Sequence, residues 1–541
     1  MRKPGLAIGA LVGAFLTAPL IAVFFLAWKL ANLPFVPFQF FDWTARALPG
    51  GVITFGIDSM VKVIRALGIA DTSSAAKAAE QTMAIGVFLV AGTLLGALLF
   101  AILRIFRVRR PVLPGIALGI AVGLGTVAIA RTLEPVTDLA PVIREGWTLA
   151  AFAVWGAALG LANRRLTRQK IELRGELDRS AVDDRIERLD RRSFLVRLGA
   201  ATATITVVGA VVGSLADRRR RREIATGKRW SAEHPLPNSS VEVSPAPGTR
   251  PEYTPLEDHY RIDITTIPPV IDGETWRLKV GGLVERPLEL TLEKIRDYEP
   301  LNQFVTLACI SNPIAGSLIG TTRWTGVSMQ RLLPDLRLAP TATHLKLSSA
   351  DRFYEVVSLD AIRADPRVML AYDWDGVPLT TKHGFPLRIY IPDLYGMKQP
   401  KWLVSIEATD QWEPGYWVKR GWDRIARMKA TSVIDTVSVD MMLAQADSNT
   451  RIPVGGIAHA GARGISKVEV RVDEGPWREA RLRAPLSETT WVVWRYDWPF
   501  QPGNHTFTVR CFDGGGVPQI VDVAPPHPSG ASGLHAKSVM L

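Results

Sequence analysis

The sequence predicts three fold classes in series: all-α transmembrane helices, then an α+β domain, then an all-β immunoglobulin-like sandwich. Three observations predict them. Four long uncharged apolar stretches lie before residue 165. Short β-rich runs, interrupted by two helical stretches, follow residue 257. Polar–apolar alternation with turn signals takes over after about residue 435.

The four stretches are 6–28, 82–103, 112–130 and 147–162. About 20 helical residues, rising 1.5 Å each, cross a hydrocarbon core of about 30 Å. The first three meet that length outright. The fourth is short and needs a thin bilayer or help from Trp147 and Asn163 at its ends. The overall balance agrees: 541 residues are 47% hydrophobic, with a mean hydropathy of +0.12. The net charge of +12 suits nucleic acid or a membrane surface, and the apolar runs decide for membrane.

Basic residues sort the topology. Arg2 and Lys3 precede the first stretch, Arg104, Arg107, Arg109 and Arg110 separate the second and third, and Arg164, Arg165, Arg168 and Lys170 follow the fourth. This alternation puts the N-terminus in the cytoplasm. A charged segment, 164–192, reads as an amphipathic or solvated cytoplasmic helix, and a fifth apolar run follows at 198–216. Five crossings put everything beyond residue 216 on the outer, periplasmic side of the inner membrane. The run of arginines at 218–222 opposes that export. Just ahead of the fifth run, Arg191-Arg192-Ser193-Phe194-Leu195 resembles the twin-arginine export signal, an address for cargo already folded around a cofactor.

Glycines recur at four-residue spacing (Gly92/Gly96, Gly115/Gly119/Gly123, Gly156/Gly160), which lets helix backbones approach closely in lipid. The expected result is a self-packed anchor. All eight histidines fall at or after His234, so a bis-histidine haem within the helices is excluded. No charge sits mid-span in the four runs, which argues against transport. The stretch 34–79, with Phe35, Phe38, Phe40, Phe41 and Trp43, reads as interfacial.

The expected organisation is a four-helix transmembrane region (1–165), then a cytoplasmic helix with the fifth segment (166–230). A linker rich in Pro, Ser, Asn and Glu (231–256) leads to an α+β domain (257–434) and the sandwich (435–541). In the α+β domain the runs 276–280, 304–308, 344–347 and 387–391 read as strands, and 292–297 and 328–333 as helices. In the sandwich, 467–472, 505–509 and the stretch after Trp491 read as strands.

Two cysteines exclude a disulfide scaffold, a cysteine zinc finger and a four-cysteine iron–sulfur cluster. Cys511 ends a sandwich strand and reads as a small buried hydrophobe. Cys309 ends the apolar strand Phe304-Val305-Thr306-Leu307-Ala308 and opens into Ile310-Ser311-Asn312-Pro313. A thiol so placed is a nucleophile, a redox thiol, a metal ligand or a buried structural cysteine. Downstream, Lys382-His383-Gly384-Phe385-Pro386-Leu387-Arg388 and Tyr395-Gly396-Met397-Lys398-Gln399-Pro400-Lys401-Trp402 set cations beside glycines. Fixed cations and backbone amides together suit an anionic, phosphate-bearing ligand.

These segments carry a resemblance. Thr306-Leu307-Ala308-Cys309 followed by Gly320-Thr321-Thr322-Arg323-Trp324-Thr325-Gly326-Val327 is the first piece. Leu370-Ala371-Tyr372 with Asp375-Gly376 is the second, and the two basic segments above are the third and fourth. In this order and spacing, residues 257–541 resemble the sulfite oxidase family of molybdopterin-dependent oxidoreductases. The end of the chain, including Pro528-Ser529-Gly530-Ala531-Ser532-Gly533, resembles that family's C-terminal dimerisation domain, which implies a homodimer.

The resemblance implies a molybdenum–molybdopterin cofactor with Cys309 as its one protein metal ligand. It implies cofactor contacts from His383, Arg388 and Gly396-Met397-Lys398, and from His259-Tyr260-Arg261. Ser349 is a further contact, with Asp351 as the alternative register. A soft thiolate suits a thiol-rich molybdenum sphere, and the metal centre carries two-electron oxygen-atom transfer.

Two positions depart from the family. Sulfite-oxidising members carry an arginine five residues after the cysteine, where this chain has Ile314. A family tyrosine corresponds to Trp422, taken here as the catalytic counterpart. Losing one cation from an anion pocket removes a charge-assisted hydrogen bond of about 1.5–3 kcal/mol, so a neutral S- or N-oxide is as good a candidate as sulfite. Asp410, Trp412 and Trp417 are expected to shape the pocket with Trp422. No haem, flavin or iron–sulfur motif is recognisable, which implies a separate electron-transfer partner, a small-molecule substrate and no nucleic acid. The rival expectation is a non-catalytic, membrane-tethered binding protein that keeps the fold.

Overall fold

The computed structural model describes residues 5–48, 72–133, 139–172, 228–438 and 450–541, with isolated positions between them. The twin-arginine-like stretch 191–195, the arginine run 218–222 and nearly all of the fifth apolar run lie outside the described residues. The chain divides into two compact units.

The helical unit holds α1 (Leu6–Ala31), α2 (Val36–Ala47), α3 (Thr72–Ile105), α4 (Val112–Leu133) and α5 (Pro141–Glu172). Four of these, all but α2, are long and apolar enough to cross a membrane. Two boundaries are corrected. The fourth span is not short: α5 runs 32 residues, because helix-forming residues continue unbroken through Arg164 and Arg165. The charged segment therefore begins as the end of α5, not as a separate helix. The stretch 34–79 also divides. Val36–Ala47 is a short helix with Pro37 in its first turn, whereas residues 72–79 begin α3.

Glycine spacing does the packing predicted of it. A Cβ at Gly13 of α1 would stand 2.7 Å from the Gly92 carbonyl of α3. A Cβ at Gly115 of α4 would drive into the Gly156 carbonyl of α5, and one at Gly156 into Gly115. Trp155 of α5 donates its indole N–H to Thr17 of α1 at 3.2 Å. Both partners are thereby satisfied where neither could reach water.

In the second unit, the α+β domain contains ten strands: β1 (Leu278–Gly282), β2 (Leu288–Leu290), β3 (Leu301–Ala308), β4 (Ile319–Ser328), β5 (His344–Ser349), β6 (Tyr354–Ser358), β7 (Met369–Trp374), β8 (Val377–Pro378), β9 (Arg388–Tyr390) and β10 (Leu403–Thr409). They form one sheet of order β2-β1-β10-β5-β6 and a second of order β3-β4-β7-β8, with β9 also on β7. Only β1 and β10 pair in parallel; the other pairs are antiparallel. Both expected helices form. Thr291 caps Leu292–Arg296 by accepting from the Lys294 amide, and Met329–Leu336 buries Met329, Leu332 and Leu336.

The sandwich begins at Thr431, four residues before the boundary expected from sequence. Its strands are β11 (Thr431–Val437), β12 (Arg451–His459), β13 (Ile465–Val472), β14 (Arg478–Glu479), β15 (Arg481–Leu482), β16 (Val492–Pro499), β17 (Asn504–Asp513) and β18 (His535–Met540). Two antiparallel sheets, β11-β12-β16-β15 and β14-β13-β17-β18, enclose Ile434, Val454, Val468, Val470, Trp494, Phe507 and Val509. Cys511 is buried in that core, with its thiol on the Gln519 side-chain carbonyl. The 231–256 stretch has little regular structure, yet it is fastened to the unit. Arg483 binds Glu252, Val243 and Asn238, and Tyr253 and Ser231 donate to Asp375.

Candidate active site

Strand ends and tight loops of the α+β domain bring the predicted residues together. Cys309 follows β3; its amide donates to the Leu318 carbonyl, and its sulfur lies 3.0 Å from the Ser311 hydroxyl. It is 7% exposed and packs with Tyr260, Trp324 and Trp374. Burial pushes its thiol pKa up, against the opposing pull of Ser311 and the Lys401 ammonium. A thiolate here therefore needs a partner that stabilises the negative charge, such as a metal.

Next to the cysteine lies a buried, cation-rich cradle. The His259 ring stands 5.6 Å from His383 and 5.6 Å from Trp374. The Arg388 guanidinium lies 4.8 Å over Trp324 and donates to the His383 carbonyl at 3.1 Å. Gly384 turns the chain between them at φ 112°, a left-handed conformation that glycine adopts without strain. A Cβ there would come within 3.1 Å of Arg388 Cβ and 3.2 Å of Lys401 Cβ. The Lys401 ammonium reaches Asp263 at 3.2 Å, and the same carboxylate takes Arg261 at 2.6 Å.

The electrostatics are one-sided. Burial holds His259 down at about 4 and His383 well below the imidazole range, with neighbouring positive charge adding to both shifts. Burial pushes Arg388 down to about 10 and Lys401 to about 8, although Asp263 opposes the latter. Two cations, Arg261 and Lys401, thus share the Asp263 carboxylate, and Arg388 donates to a backbone carbonyl instead. His259 Nε2, Arg388 Nε, Ser349 Oγ and Thr380 Oγ1 are buried with no hydrogen-bond partner. Buried polar groups are normally satisfied: Arg388 and the two hydroxyls can donate to an anion, while the neutral His259, whose Nδ1 faces the Tyr260 carbonyl, offers Nε2 as an acceptor to a ring N–H. A pterin and its phosphate have that chemistry, and the cluster of His259, His383 and Trp374 rings, which meet edge-to-face or tilted, suits a flat heterocycle.

The remaining predicted residues sort as follows. Tyr260 sits between the cradle and the cysteine; a Cβ at Gly396 would lie 3.1 Å from its hydroxyl and 3.4 Å from the Ala308 carbonyl. Ser349 ends β5, opposite Leu403. Asp351, the alternative, accepts from the Phe353 amide within its own turn. Met397 packs with Ala308, Ile310 and Tyr395, and Trp417 and Trp422 pack on the edge of that group. Lys398 turns to a buried ion pair with Glu355 at 3.0 Å. Trp422 rests against Trp417 and His527, while Asp410 is exposed and Trp412 stacks with Arg424.

Sequence reading named Lys401 only within its motif and passed over Asp263 and Thr380. Its signal for Lys401 was the basic run after Gly396; Asp263 had none. It also missed the cavity of about 40 Å³ between the loop after Cys309 and the sandwich, lined by Arg250, Asn312, Ile314, Lys429, Ile457 and His459. Among the described residues, no three His, Cys, Asp or Glu side chains gather as a metal site.

Residues 264–417 match the oxidoreductase molybdopterin binding domain family. The chain is 28% identical over 273 residues to mitochondrial sulfite oxidase of Rattus norvegicus, covering 42% of this chain and 50% of that protein. It is 26% identical over 339 residues to the NAD(P)H nitrate reductase of Hordeum vulgare, covering 50% and 38%. The crystal structure of the sulfane dehydrogenase SoxCD from Paracoccus pantotrophus aligns at 19% identity with a TM-score of 0.46, covering 56% of this chain and 87% of that one. The chain spans about half the length of the mitochondrial sulfite oxidases it matches. The chain carries a molybdopterin oxidoreductase domain related to those of sulfite oxidase and nitrate reductase.

Proposed function

We propose that this chain is a membrane-anchored, molybdopterin-dependent oxidoreductase that moves an oxygen atom and two electrons to or from a small sulfur- or nitrogen-containing substrate. The observation that carries this reading is the cradle of Arg388, Lys401, His259 and His383 beside Cys309, with its unpartnered buried polar atoms. His259, Ser349, His383, Arg388 and Lys401 would hold the pterin and its phosphate, with Tyr260 and the Gly396–Lys398 turn at its edge. Cys309 would be the protein ligand to molybdenum. When bound, the metal centre supplies reversible two-electron redox chemistry and oxygen-atom exchange.

This chain's own residues do the rest. Arg388 and Lys401 neutralise the cofactor's charge away from water, where each contact is strengthened. Ser311 donates to the Cys309 sulfur and stabilises its thiolate. Met397, Trp417 and Trp422 wall the cysteine loop and exclude solvent. Ile314 replaces the cation that sulfite-oxidising members use, so a neutral S- or N-oxide is preferred over sulfite.

The catalytic unit lies on the periplasmic side of the inner membrane, exported by the twin-arginine route with its cofactor inserted. Basic residues flanking the spans support that orientation. A separate redox partner exchanges the electrons, and the sandwich pairs two copies.

Metal analysis of the purified full chain, native against Cys309→Ser, tests the reading. Native protein should carry about one molybdenum per chain, and the serine variant far less. Equal molybdenum in both removes Cys309 from the metal. Molybdenum without turnover of sulfite, sulfoxides or N-oxides with an artificial electron carrier favours a non-catalytic binding protein.

A further inference from the structure

The loop between β3 and β4 turns a hydroxyl onto the cysteine sulfur and holds it there. The Asn312 amide donates to the Cys309 carbonyl at 3.0 Å, closing a β-turn over residues 309–312. The Asn312 side-chain carbonyl accepts from the Leu318 amide at 2.9 Å, and the Cys309 amide donates to the Leu318 carbonyl at 2.9 Å. A Cβ at Gly316 would drive into the Asn312 side-chain oxygen, so the loop closes tightly on itself.

Ser311 is the third residue of that turn, and its Oγ lies 3.0 Å from the Cys309 sulfur. The Ser311 and Ile310 amides favour the charged sulfur from the same turn, as backbone N–H groups aimed at an anion do. Cys309 is buried, so the donors that meet its sulfur come from this loop rather than from bulk water. The direction of the Ser311 bond follows from chemistry. A metal ligand is a thiolate with no proton to give, so beside a metal the serine O–H donates and the sulfur accepts.

Resting on the function proposed above, in which Cys309 is the protein ligand to molybdenum, we propose that Ser311 is a positioning residue that tunes the metal's reduction potential through the sulfur. A hydrogen bond to a ligating sulfur withdraws electron density that would otherwise pass to the metal, and proteins set such potentials partly in this way. The sulfur carries more negative charge when the centre is reduced, so the bond is stronger in that state. Ser311 therefore stabilises the reduced centre more than the oxidised one and raises the potential.

The test uses molybdenum-loaded full-length protein in detergent, as native, Ser311→Ala and Ser311→Thr. Metal analysis should find equal molybdenum in all three. In a potentiometric titration followed by electron paramagnetic resonance, Ser311→Ala should lower the reduced-to-oxidised ratio at a fixed poise about threefold or more, a fall of about 28 mV in a one-electron midpoint. Ser311→Thr keeps the hydroxyl and should keep the native midpoint. The metal–sulfur stretch in the resonance Raman spectrum should shift on brief transfer to deuterium oxide in native protein and Ser311→Thr, but not in Ser311→Ala. Native protein alone decides by that shift if Ser311→Ala does not fold. An unchanged midpoint in Ser311→Ala, an equal fall in Ser311→Thr, or a native stretch indifferent to deuterium each overturns the assignment. Molybdenum lost from Ser311→Ala alone makes the serine a retention contact and overturns it too. Native protein without molybdenum, or Cys309→Ser protein that keeps it, overturns the function proposed above and this inference with it. A negative Ser311 result in loaded protein leaves that function standing.

Discussion

Lys398 and Glu355 form an ion pair of 3.0 Å in which the side chains are 3% and 0% exposed. Glu355 Oε1 also accepts from the Val356 amide, while Oε2 has no partner. Burial raises the Glu355 pKa, and the Lys398 charge opposes that rise. Removing one partner of such a pair strands the other charge. Glu355→Gln should therefore cost about 3–5 kcal/mol, whereas Glu355→Leu with Lys398→Met should cost clearly less. Denaturant unfolding of the full chain in detergent, followed by tryptophan fluorescence, measures both. Equal losses for the single and double variants would show that packing, not charge, sets the cost.

Cofactor retention should depend on Gly384 through shape and on Arg388 through charge. Gly384→Ala puts a methyl 3.1–3.2 Å from the Cβ atoms of Arg388 and Lys401 at a positive φ, tilting both cations. Arg388→Met removes a charge-assisted contact of about 1.5–3 kcal/mol, a factor of about ten or more in affinity. Molybdenum and pterin content should fall in both variants, further in Arg388→Met. Arg388→Lys should recover only part, since lysine lacks the planar fork.

In the helical unit, Gly115 and Gly156 admit each other's backbone and nothing larger. Gly115→Val should separate α4 from α5 and lower the melting midpoint in detergent, with a cost of at least the 1–3 kcal/mol typical of overpacking. Gly125, whose Cβ would meet nothing, is the matched control: Gly125→Ala should leave the midpoint unchanged.

How much of this was legible in the sequence depended on the range of the interaction. Local signals served well. Period-two alternation located β13 around Val468 and Val470, apolar length located α1, α3 and α4, and glycine spacing marked the contacts of α4 with α5. The end of α5 was misjudged because charge at Arg164 changes a helix's solvent, not its hydrogen bonding. The cradle was half legible: His383, Gly384 and Arg388 stand close together in the chain. Asp263 reaches Lys401 across more than a hundred residues, and His459 meets the Ile314 loop across as many, so only folding brings them together. Lys398 is the opposite case: its motif suggested a phosphate contact, and the fold sets Glu355 of β6 against its ammonium.

The cradle should also give the cofactor-free protein a pH-dependent stability. His259 and His383 have folded pKa values depressed below the ordinary ~6.5. Between about 4 and 6.5 the unfolded chain therefore binds more protons than the folded one. Stability must rise with pH across that window and be lost as pH falls through it. Above about 6.5 both imidazoles are neutral in either state, and their contribution flattens. A bound phosphate would reverse the local field and draw the depressed values back up, so loaded protein should show a shallower slope. Melting midpoints recorded against pH, with and without cofactor, test this. His259→Gln should flatten the cofactor-free curve toward the loaded one, and identical slopes for native and His259→Gln protein would place the titrating group elsewhere.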